Sequence, residues 1–343
     1  MPVERVVAVP GEGAAPEATA VDEHKPLAGA IDVHAHYLTA EYRDACGLAG
    51  HAAPDGIPAL PDWSVEESLE LMDKVGIAAS LLSISSPGVF FGEQDSATRL
   101  AREVNEAGAR VVSERPTRFG LLASLPLPDL DAALAEVVYA FDTLSADGVA
   151  LLTNYGGTYI SDVRFEPLLQ ELDRRSAVAF IHPASSACWQ AVSFGRPRPL
   201  LEFLLDTTRS VIDLALSGTL TRNPNIRFII PHSGGALPIV ADRAHLLGAY
   251  FRDPGTDVVD VLSELSKLHY DLAGTPLPRA LPALLGLVAP DRLLYGSDFP
   301  FTPPFAVEAL AQALASTDLV TDLAREAMVR HNAIKLFPRL ATE

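Results

Sequence analysis

The stretch AIDVHAH, residues 30–36, is a short apolar run that ends in two histidines separated by one residue. Its length and apolar character predict a buried strand that begins at Ala30 and carries the histidines at its C-terminal end. His34 and His36 are two positions apart, so both imidazoles project from the same side of the strand. Two nitrogens in this arrangement can bind one metal ion together.

Seven more apolar runs follow, and segments with helical periodicity separate them. The candidate strands cover residues 30–34, 79–85, 119–125, 148–154, 178–182, 226–232, 268–272 and 292–298. The amphipathic segments cover residues 64–75, 97–114, 130–144, 166–175, 200–217 and 306–315. Strands that alternate with helices predict βαβ units and a parallel sheet. Eight units over about 300 residues favour a (β/α)₈ TIM barrel over a doubly wound sheet, and no GxGxxG motif follows the first strand.

The composition predicts one folded domain. The chain has 343 residues, of which 48% are hydrophobic and 20% charged, so it can bury a large core. Residues 1–29 are rich in Gly, Ala, Pro and Glu without periodicity, which predicts a mobile N-terminal leader before a single barrel domain over residues 30–343.

Charge and hydropathy restrict the partners that we expect. The net charge of −18 opposes binding to nucleic acid and to anionic membranes. No apolar run approaches the length of a membrane span, and the N-terminus does not resemble a secretory signal, so we expect a cytoplasmic protein. Cys46 and Cys188 lie far apart without metal-binding spacing, and we expect two free thiols.

Four of the eight candidate strands end in side chains that can bind a metal. They end in His34 and His36, in His182, in His232 and in Asp298. The C-terminal ends of barrel strands meet at one mouth, so we expect these side chains to converge there. Three or four imidazoles and one carboxylate suit Zn²⁺, with Mn²⁺, Fe²⁺ or Co²⁺ as alternatives. One ion is favoured over two, because the fourth candidate strand has no Lys, Glu or Asp to bridge a second.

Two other hydrolytic chemistries are disfavoured by their missing motifs. Ser233 follows His232, but no G-x-S-x-G surrounds it, which argues against a serine hydrolase. The absence of H-E-x-x-H argues against a zinc site on a helix.

These motifs resemble a known family. The HxH pair, His182, His232 in PHSGG and Asp298 in YGSDFP resemble the amidohydrolase superfamily, specifically its non-hydrolytic branch typified by amino-carboxymuconate-semialdehyde decarboxylase. The likeness extends from Ala30 to Phe337. Within that branch, the stretches LLSISSPGV, RFGLLASLPLPD, YAFDTLSADGVALLTNYG and ELDRRSAVAFIHP are similar to the 6-methylsalicylate decarboxylases.

The resemblance implies an activity and a set of site residues. It implies metal-dependent, non-oxidative decarboxylation of an ortho-hydroxybenzoate such as 6-methylsalicylate, giving the phenol and CO₂ without an organic cofactor. One divalent ion, Zn²⁺ first and Mn²⁺ second, would be held by His34, His36, His182 and Asp298, and His232 would be an acid/base. Arg243 matches a family arginine that reaches the substrate carboxylate of a neighbouring subunit, which implies a functional homodimer.

The chain departs from the semialdehyde decarboxylases in the loop over residues 45–63, which contains no arginine. A substrate with one carboxylate, a small aromatic acid, therefore fits better. Several aromatic residues follow candidate strands two, five and eight. They either pack against the aromatic ring of the substrate or belong to the core. They are Phe90, Phe91, Trp189, Phe299 and Phe301. His51, in the long first loop, is a further pocket candidate.

The chemistry leaves two mechanisms and two other functions open. Direct loss of CO₂ would create an aryl carbanion, so we expect the ring carbon to be protonated first, by Asp298 with His232 beside it. Alternatively, His232 acts as the base that activates a water. The second candidate function is metal-dependent hydrolysis of a lactone or cyclic ester, and the third is a catalytically silent barrel that binds a partner.

Overall fold

Eight parallel strands form the centre of the fold in a computed structural model that describes residues 25–252, 254–255 and 257–341. Each strand pairs with the next along the chain, apart from a two-stranded antiparallel hairpin inserted after the fourth. The barrel strands are β1 Ala30–His36, β2 Ile77–Ser83, β3 Phe119–Ser124, β4 Gly148–Leu152, β7 Val178–His182, β8 Arg227–Ile230, β9 His269–Asp271 and β10 Leu293–Leu294; the hairpin strands are β5 Asn154–Tyr155 and β6 Thr158–Tyr159. All eight predicted strands are confirmed.

The barrel closes between its last and first strands. Val33 N donates to Tyr295 O (3.0 Å), Asp298 N to His34 O (2.7 Å) and His36 N to Phe299 O (2.7 Å). The predicted (β/α)₈ TIM barrel is therefore confirmed. The first strand runs to His36, two residues beyond the predicted end. The last strand is only two residues long, because the chain from Tyr295 to Phe299 contacts β1 through isolated bridges rather than a regular ladder.

Helices surround the barrel, and the six predicted amphipathic segments are among them. Their bounds are α1 Ala40–Leu48, α2 Val65–Val75, α3 Gln94–Glu114, α4 Leu130–Asp142, α5 Glu166–Arg174, α6 Trp189–Val192, α7 Glu202–Leu216, α8 Thr219–Arg222, α9 Leu237–Phe251, α10 Val261–Lys267, α11 Leu281–Leu285, α12 Pro304–Ser316, α13 Asp322–Glu326 and α14 Asn332–Leu336. None of these described helices combines the length and the apolar character needed to cross a membrane.

Local signals explain the ends of α2. The Ser64 side chain accepts a hydrogen bond from Glu67 N (3.1 Å) and caps the N-terminus. Gly76 ends the helix with φ +96°, and a Cβ there would lie 3.0 Å from the backbone of Ala28. Only glycine combines this conformation with so close an approach.

The C-terminal segment packs at the end of the barrel opposite the predicted site. Phe337 and Leu340 pack with Ile31 and Phe180 in one buried cluster, and Arg227, the first residue of β8, donates to Leu336 O (3.4 Å). The N-terminal ends of the strands are thus covered by packing, and the C-terminal ends remain for the polar residues.

The predicted leader covers residues 1–29. Residues 1–24 lie outside the described residues. Leu27, which falls within the predicted leader, is buried in the core, and Gly29 N donates to Gly76 O (2.8 Å). The packed part of the chain therefore includes Leu27, whose apolar side chain is buried beside α2.

Candidate metal centre

The barrel brings four of the predicted side chains together at one mouth. His34 and His36 lie on β1, His182 ends β7 and Asp298 follows β10. One nitrogen or oxygen atom from each lies within 4.8 Å of the others. His34 Nε2 is 3.1 Å from His36 Nε2, and Asp298 Oδ1 is 3.4 Å and 3.2 Å from these two nitrogens.

Each of the three histidines binds the protein through Nδ1. His34 Nδ1 donates to Asp271 Oδ2 (2.8 Å), and His36 Nδ1 lies 3.2 Å from Ser83 O. His182 Nδ1 lies 2.8 Å from Pro183 O. A carbonyl oxygen only accepts, so Nδ1 carries the proton in His36 and His182. The Nε2 lone pairs of these rings face the centre, an orientation typical of histidines that bind a metal.

The electrostatics of the centre favour a cation. Burial lowers the pKa of His34, but the carboxylates of Asp271 and Asp298 outweigh it and raise that pKa to about 10. Burial lowers the pKa of His36, and it lowers the pKa of His182 well below its usual value. These two imidazoles are therefore neutral ligands at neutral pH, while His34 holds a positive charge that a metal ion would replace.

Asp298 is ionised in this environment. Burial raises its pKa, but the neighbouring imidazoles of His232, His34 and His36 outweigh burial and hold that pKa well below the ordinary value. Once His34 loses its proton, three imidazole nitrogens and one carboxylate oxygen form a donor set that fits a single Zn²⁺ or Mn²⁺ ion.

His232 lies beside this cluster. Its Nε2 is 3.7 Å from Asp298 Oδ2, and its backbone N donates to Asp271 Oδ1 (2.9 Å). Its buried Nδ1 has no hydrogen-bond partner within the described part of the chain. The backbone turns sharply here, with φ of 54° at His232 and 61° at Gly235, where a Cβ would lie 2.5 Å from Leu204 O.

Two buried acids that support the centre were missed from the sequence. Asp271, at the end of β9, binds both His34 and the backbone of His232. Asp32 accepts from His34 N (3.0 Å) and from Ser297 Oγ (2.5 Å). Burial raises the pKa of Asp32 to about 7 despite these bonds. Asp271 could have been identified from the sequence, because it is an acid at the end of a candidate strand, as Asp298 is.

A cavity of about 590 Å³ opens above the cluster. His182, His232 and Asp298 lie in its wall, and Phe203 and Phe301 supply aromatic surface. The Phe301 ring is 5.4 Å from the His36 ring, and the Phe203 ring is 6.2 Å from the His182 ring. Among the described residues that line this cavity there is no lysine or arginine.

Most of the predicted substrate-binding residues lie elsewhere. Phe90, Trp189 and His51 line a neighbouring cavity rather than this one. Phe91 packs against Tyr42 and His51. The remaining two line neither cavity: Phe299 is buried, and Arg243 is exposed on α9. Phe301 alone among the predicted aromatic residues lines the cavity at the metal centre, because the chain turns between positions 299 and 301.

A family model described as Amidohydrolase matches residues 31–339. The chain belongs to the amidohydrolase family. This amidohydrolase is 36% identical over 323 residues to Decarboxylase yanB of Aspergillus niger, which covers 90% of this chain and 87% of the relative. It is 34% identical over 316 residues to 6-methylsalicylic acid decarboxylase of Penicillium expansum, covering 90% and 96%. The predicted relationship to the decarboxylase branch is confirmed.

A solved structure adds a likeness of fold. The dihydroxybenzoic acid decarboxylase from Polaromonas sp. JS666, solved with bound manganese and an inhibitor, 2-nitroresorcinol, superposes with a TM-score of 0.78. The match covers 92% of this amidohydrolase and 100% of that chain at 21% identity.

Proposed function

We propose that this amidohydrolase is a metal-dependent, non-oxidative decarboxylase of an ortho-hydroxybenzoate of the 6-methylsalicylate type. The observation that carries this proposal is the cluster of three imidazoles and Asp298 beside a cavity, which His182 and Asp298 line together with no lysine or arginine. The metal centre is therefore the place that can neutralise a substrate carboxylate, which puts the bond to be broken beside Asp298 and His232. The names of the two fungal relatives support the same reaction.

One divalent ion would be held by His34, His36, His182 and Asp298. Zn²⁺ is our first choice because these donors match its preferred ligands, and manganese in the Polaromonas decarboxylase supports Mn²⁺ as the alternative. When bound, the ion polarises the substrate oxygens and lowers the cost of negative charge on them. No organic cofactor is needed for this chemistry.

We assign the proton transfer to Asp298 and His232. Asp298 is ionised at neutral pH, and in this proposal its carboxylate first accepts the proton of the substrate phenol. It then donates that proton to the carboxyl-bearing ring carbon, and the C–C bond breaks with its electrons restoring the aromatic ring. The phenolate regains a proton from water. His232 stabilises the charge that Asp298 gains and loses.

Metal analysis combined with product detection tests the proposal. We expect about one Zn²⁺ or Mn²⁺ per chain, and release of CO₂ and 3-methylphenol from 6-methylsalicylate that a chelator stops and added metal restores. Salicylate and 2,6-dihydroxybenzoate in the same panel define the ring preference. Metal-dependent opening of a lactone without CO₂ release would instead support the hydrolase alternative, and a metal-free protein would contradict both.

We also infer a homodimer that forms through one face of α9. Ile239, Arg243, Leu246 and Tyr250 recur at helical spacing on this face, which we call the α9 stripe. Its three apolar members are 76%, 68% and 77% exposed. An apolar stripe of this kind is costly to leave in water, and Arg243 in its middle is the residue expected to reach a neighbouring subunit.

A cytoplasmic location remains our proposal from the sequence, and fractionation of cells that express the full chain tests it.

A further inference from the structure

A second cavity, of about 370 Å³, adjoins the cavity at the metal centre. Asp55 and Ser86 line both cavities, so the two share a wall. The second cavity is rich in aromatic surface and contains one arginine. These residues are Phe90, Tyr155, Trp189 and Arg198. The proposed reaction uses none of them.

Arg198 is held in place by its surroundings. Its Nε donates to Ser185 Oγ (3.0 Å), and its guanidinium carbon lies 4.1 Å from the centre of the Trp189 ring. Gly56, with φ +79°, allows a close approach, since a Cβ there would lie 2.7 Å from Arg198 Nη1. The guanidinium is therefore positioned before any ligand arrives, which lowers the entropic cost of binding one.

The two terminal nitrogens of Arg198 are available. Within the described residues, neither Nη atom forms an ion pair or a hydrogen bond. Asp55 is the carboxylate in the shared wall, but Ser185 Oγ donates to it and lies between it and Arg198 Nε. A guanidinium with two free donors matches the two oxygens of a carboxylate.

We propose that the second cavity is a binding site for a small aromatic carboxylate, which it holds beside the metal centre before the acid enters the reaction cavity. The carboxylate binds the Arg198 Nη atoms, and the ring packs among Phe90, Tyr155 and Trp189. The volume is in the range of ligand sites and suits a molecule with one ring. The inference rests on the proposed function only in taking this acid to be the substrate.

Fluorescence of Trp189 reports binding without any turnover. The chain has two tryptophans, so Trp63→Phe leaves Trp189 as the single emitter. Benzoate, which lacks the ortho-hydroxyl, is titrated into chelator-treated protein, in which the metal centre is empty. We expect saturable quenching, with affinity at least about tenfold weaker in Arg198→Gln. Arg196→Gln is the matched control, because Arg196 is exposed on the same loop and lines neither cavity.

A second variant should raise the affinity for benzoate instead of lowering it. Asp55→Asn removes the carboxylate from the wall and keeps a residue that tolerates φ of 52°, so benzoate should bind more tightly. Absence of saturable quenching, or equal affinity in Arg198→Gln and Arg196→Gln, overturns the inference. If Arg198→Gln does not fold, Asp55→Asn decides: tighter binding supports the site and unchanged binding overturns it.

The result is separable from the test of the proposed function. Arg198-dependent benzoate binding without CO₂ release from any hydroxybenzoate overturns the proposed function alone. CO₂ release without Arg198-dependent binding overturns the second site alone.

Discussion

Each imidazole of the metal centre binds the protein through one ring nitrogen and leaves the other for a ligand. The Nδ1 atoms of His34, His36 and His182 are bound by Asp271, Ser83 O and Pro183 O, respectively. Two Nε2 atoms only 3.1 Å apart are difficult to satisfy without a shared cation or proton. The side-chain geometry thus prepares this centre for a positive ion.

Substitution Asp298→Asn separates proton transfer from metal binding. The amide oxygen still offers a ligand atom, but the side chain no longer accepts and donates the proton. We expect kcat to fall about 100- to 10,000-fold while metal content, measured by mass spectrometry, stays close to that of the unmodified protein. Asp318→Asn, at an exposed position, is the control. Turnover close to normal in Asp298→Asn would contradict the assigned role.

Metal binding should depend on pH through His34. Its pKa of about 10 lies above the ordinary 6.5, so a proton occupies His34 at neutral pH and must leave when the metal binds. His36, His182 and Asp298 have lowered pKa values and add no proton in this range. We expect about one proton released per ion, and affinity that rises about tenfold per pH unit between about pH 7 and 9.

Calorimetry in buffers of different ionisation enthalpy measures this proton release. Asp271→Asn removes a carboxylate that raises the pKa of His34, so fewer protons should be released and metal affinity should fall about 10- to 100-fold. An affinity that does not change with pH would show that His34 is already neutral before the metal binds.

At the scale of elements, a buried carboxylate on α7 ties together the loops around His182. Asp206 accepts from Thr153 Oγ1, from Asn154 Nδ2 (2.9 Å) and from Tyr159 Oη (2.6 Å). Thr153 Oγ1 in turn accepts from Ala184 N (3.1 Å), two residues after His182. Helix α7, the β5–β6 hairpin and the segment after β7 therefore meet at one fully buried acid.

Removal of this carboxylate should destabilise the domain. Asp206→Ala leaves two buried donors and the partly buried Tyr159 hydroxyl without an acceptor, and we expect the free energy of unfolding to fall by about 2–5 kcal/mol. Urea denaturation followed by circular dichroism measures it. Glu103→Ala, at an exposed position on α3, should change stability by about 0.5 kcal/mol or less. An equally small effect of Asp206→Ala would mean that water satisfies the three donors.

At the scale of the whole molecule, the reaction cavity and the α9 stripe raise the question of whether one chain completes its own site. The cavity wall contains no arginine among the described residues, and Arg243 points to the outside of the chain on α9. A dimer through the α9 stripe would supply Arg243 to the substrate of the partner.

Complementation of two defective chains tests this arrangement. Arg243→Ala and Asp298→Asn homodimers should both be weakly active. A heterodimer isolated with two different tags contains one site with Asp298 intact and Arg243 present on the partner, so it should recover about half of the normal activity. If the heterodimer is no more active than either homodimer, Arg243 acts on the substrate of its own chain or takes no part in the reaction. Leu246→Asp should separate the subunits on size exclusion with light scattering.

The sequence by itself determined the eight strands, their order along the chain and the convergence of His34, His36, His182 and Asp298. These residues lie at or just after strand ends, and all such ends of a barrel meet at one mouth. The lengths of the apolar runs and the two-residue spacing of His34 and His36 are therefore enough to predict the convergence. The metal centre was therefore predictable before any tertiary contact was known.

Only the tertiary structure decided what surrounds that centre. The bond between His34 and Asp271 joins residues 237 positions apart, and Phe301 rather than Phe299 reaches the cavity because of a turn in the backbone. Likewise, Phe90 and Trp189 lie in the second cavity with Arg198. Loop paths follow from packing between distant segments, which leaves no local period in the sequence. Local sequence pattern and barrel geometry determine where the strands end, whereas long-range packing determines which residues line the cavities around the metal centre.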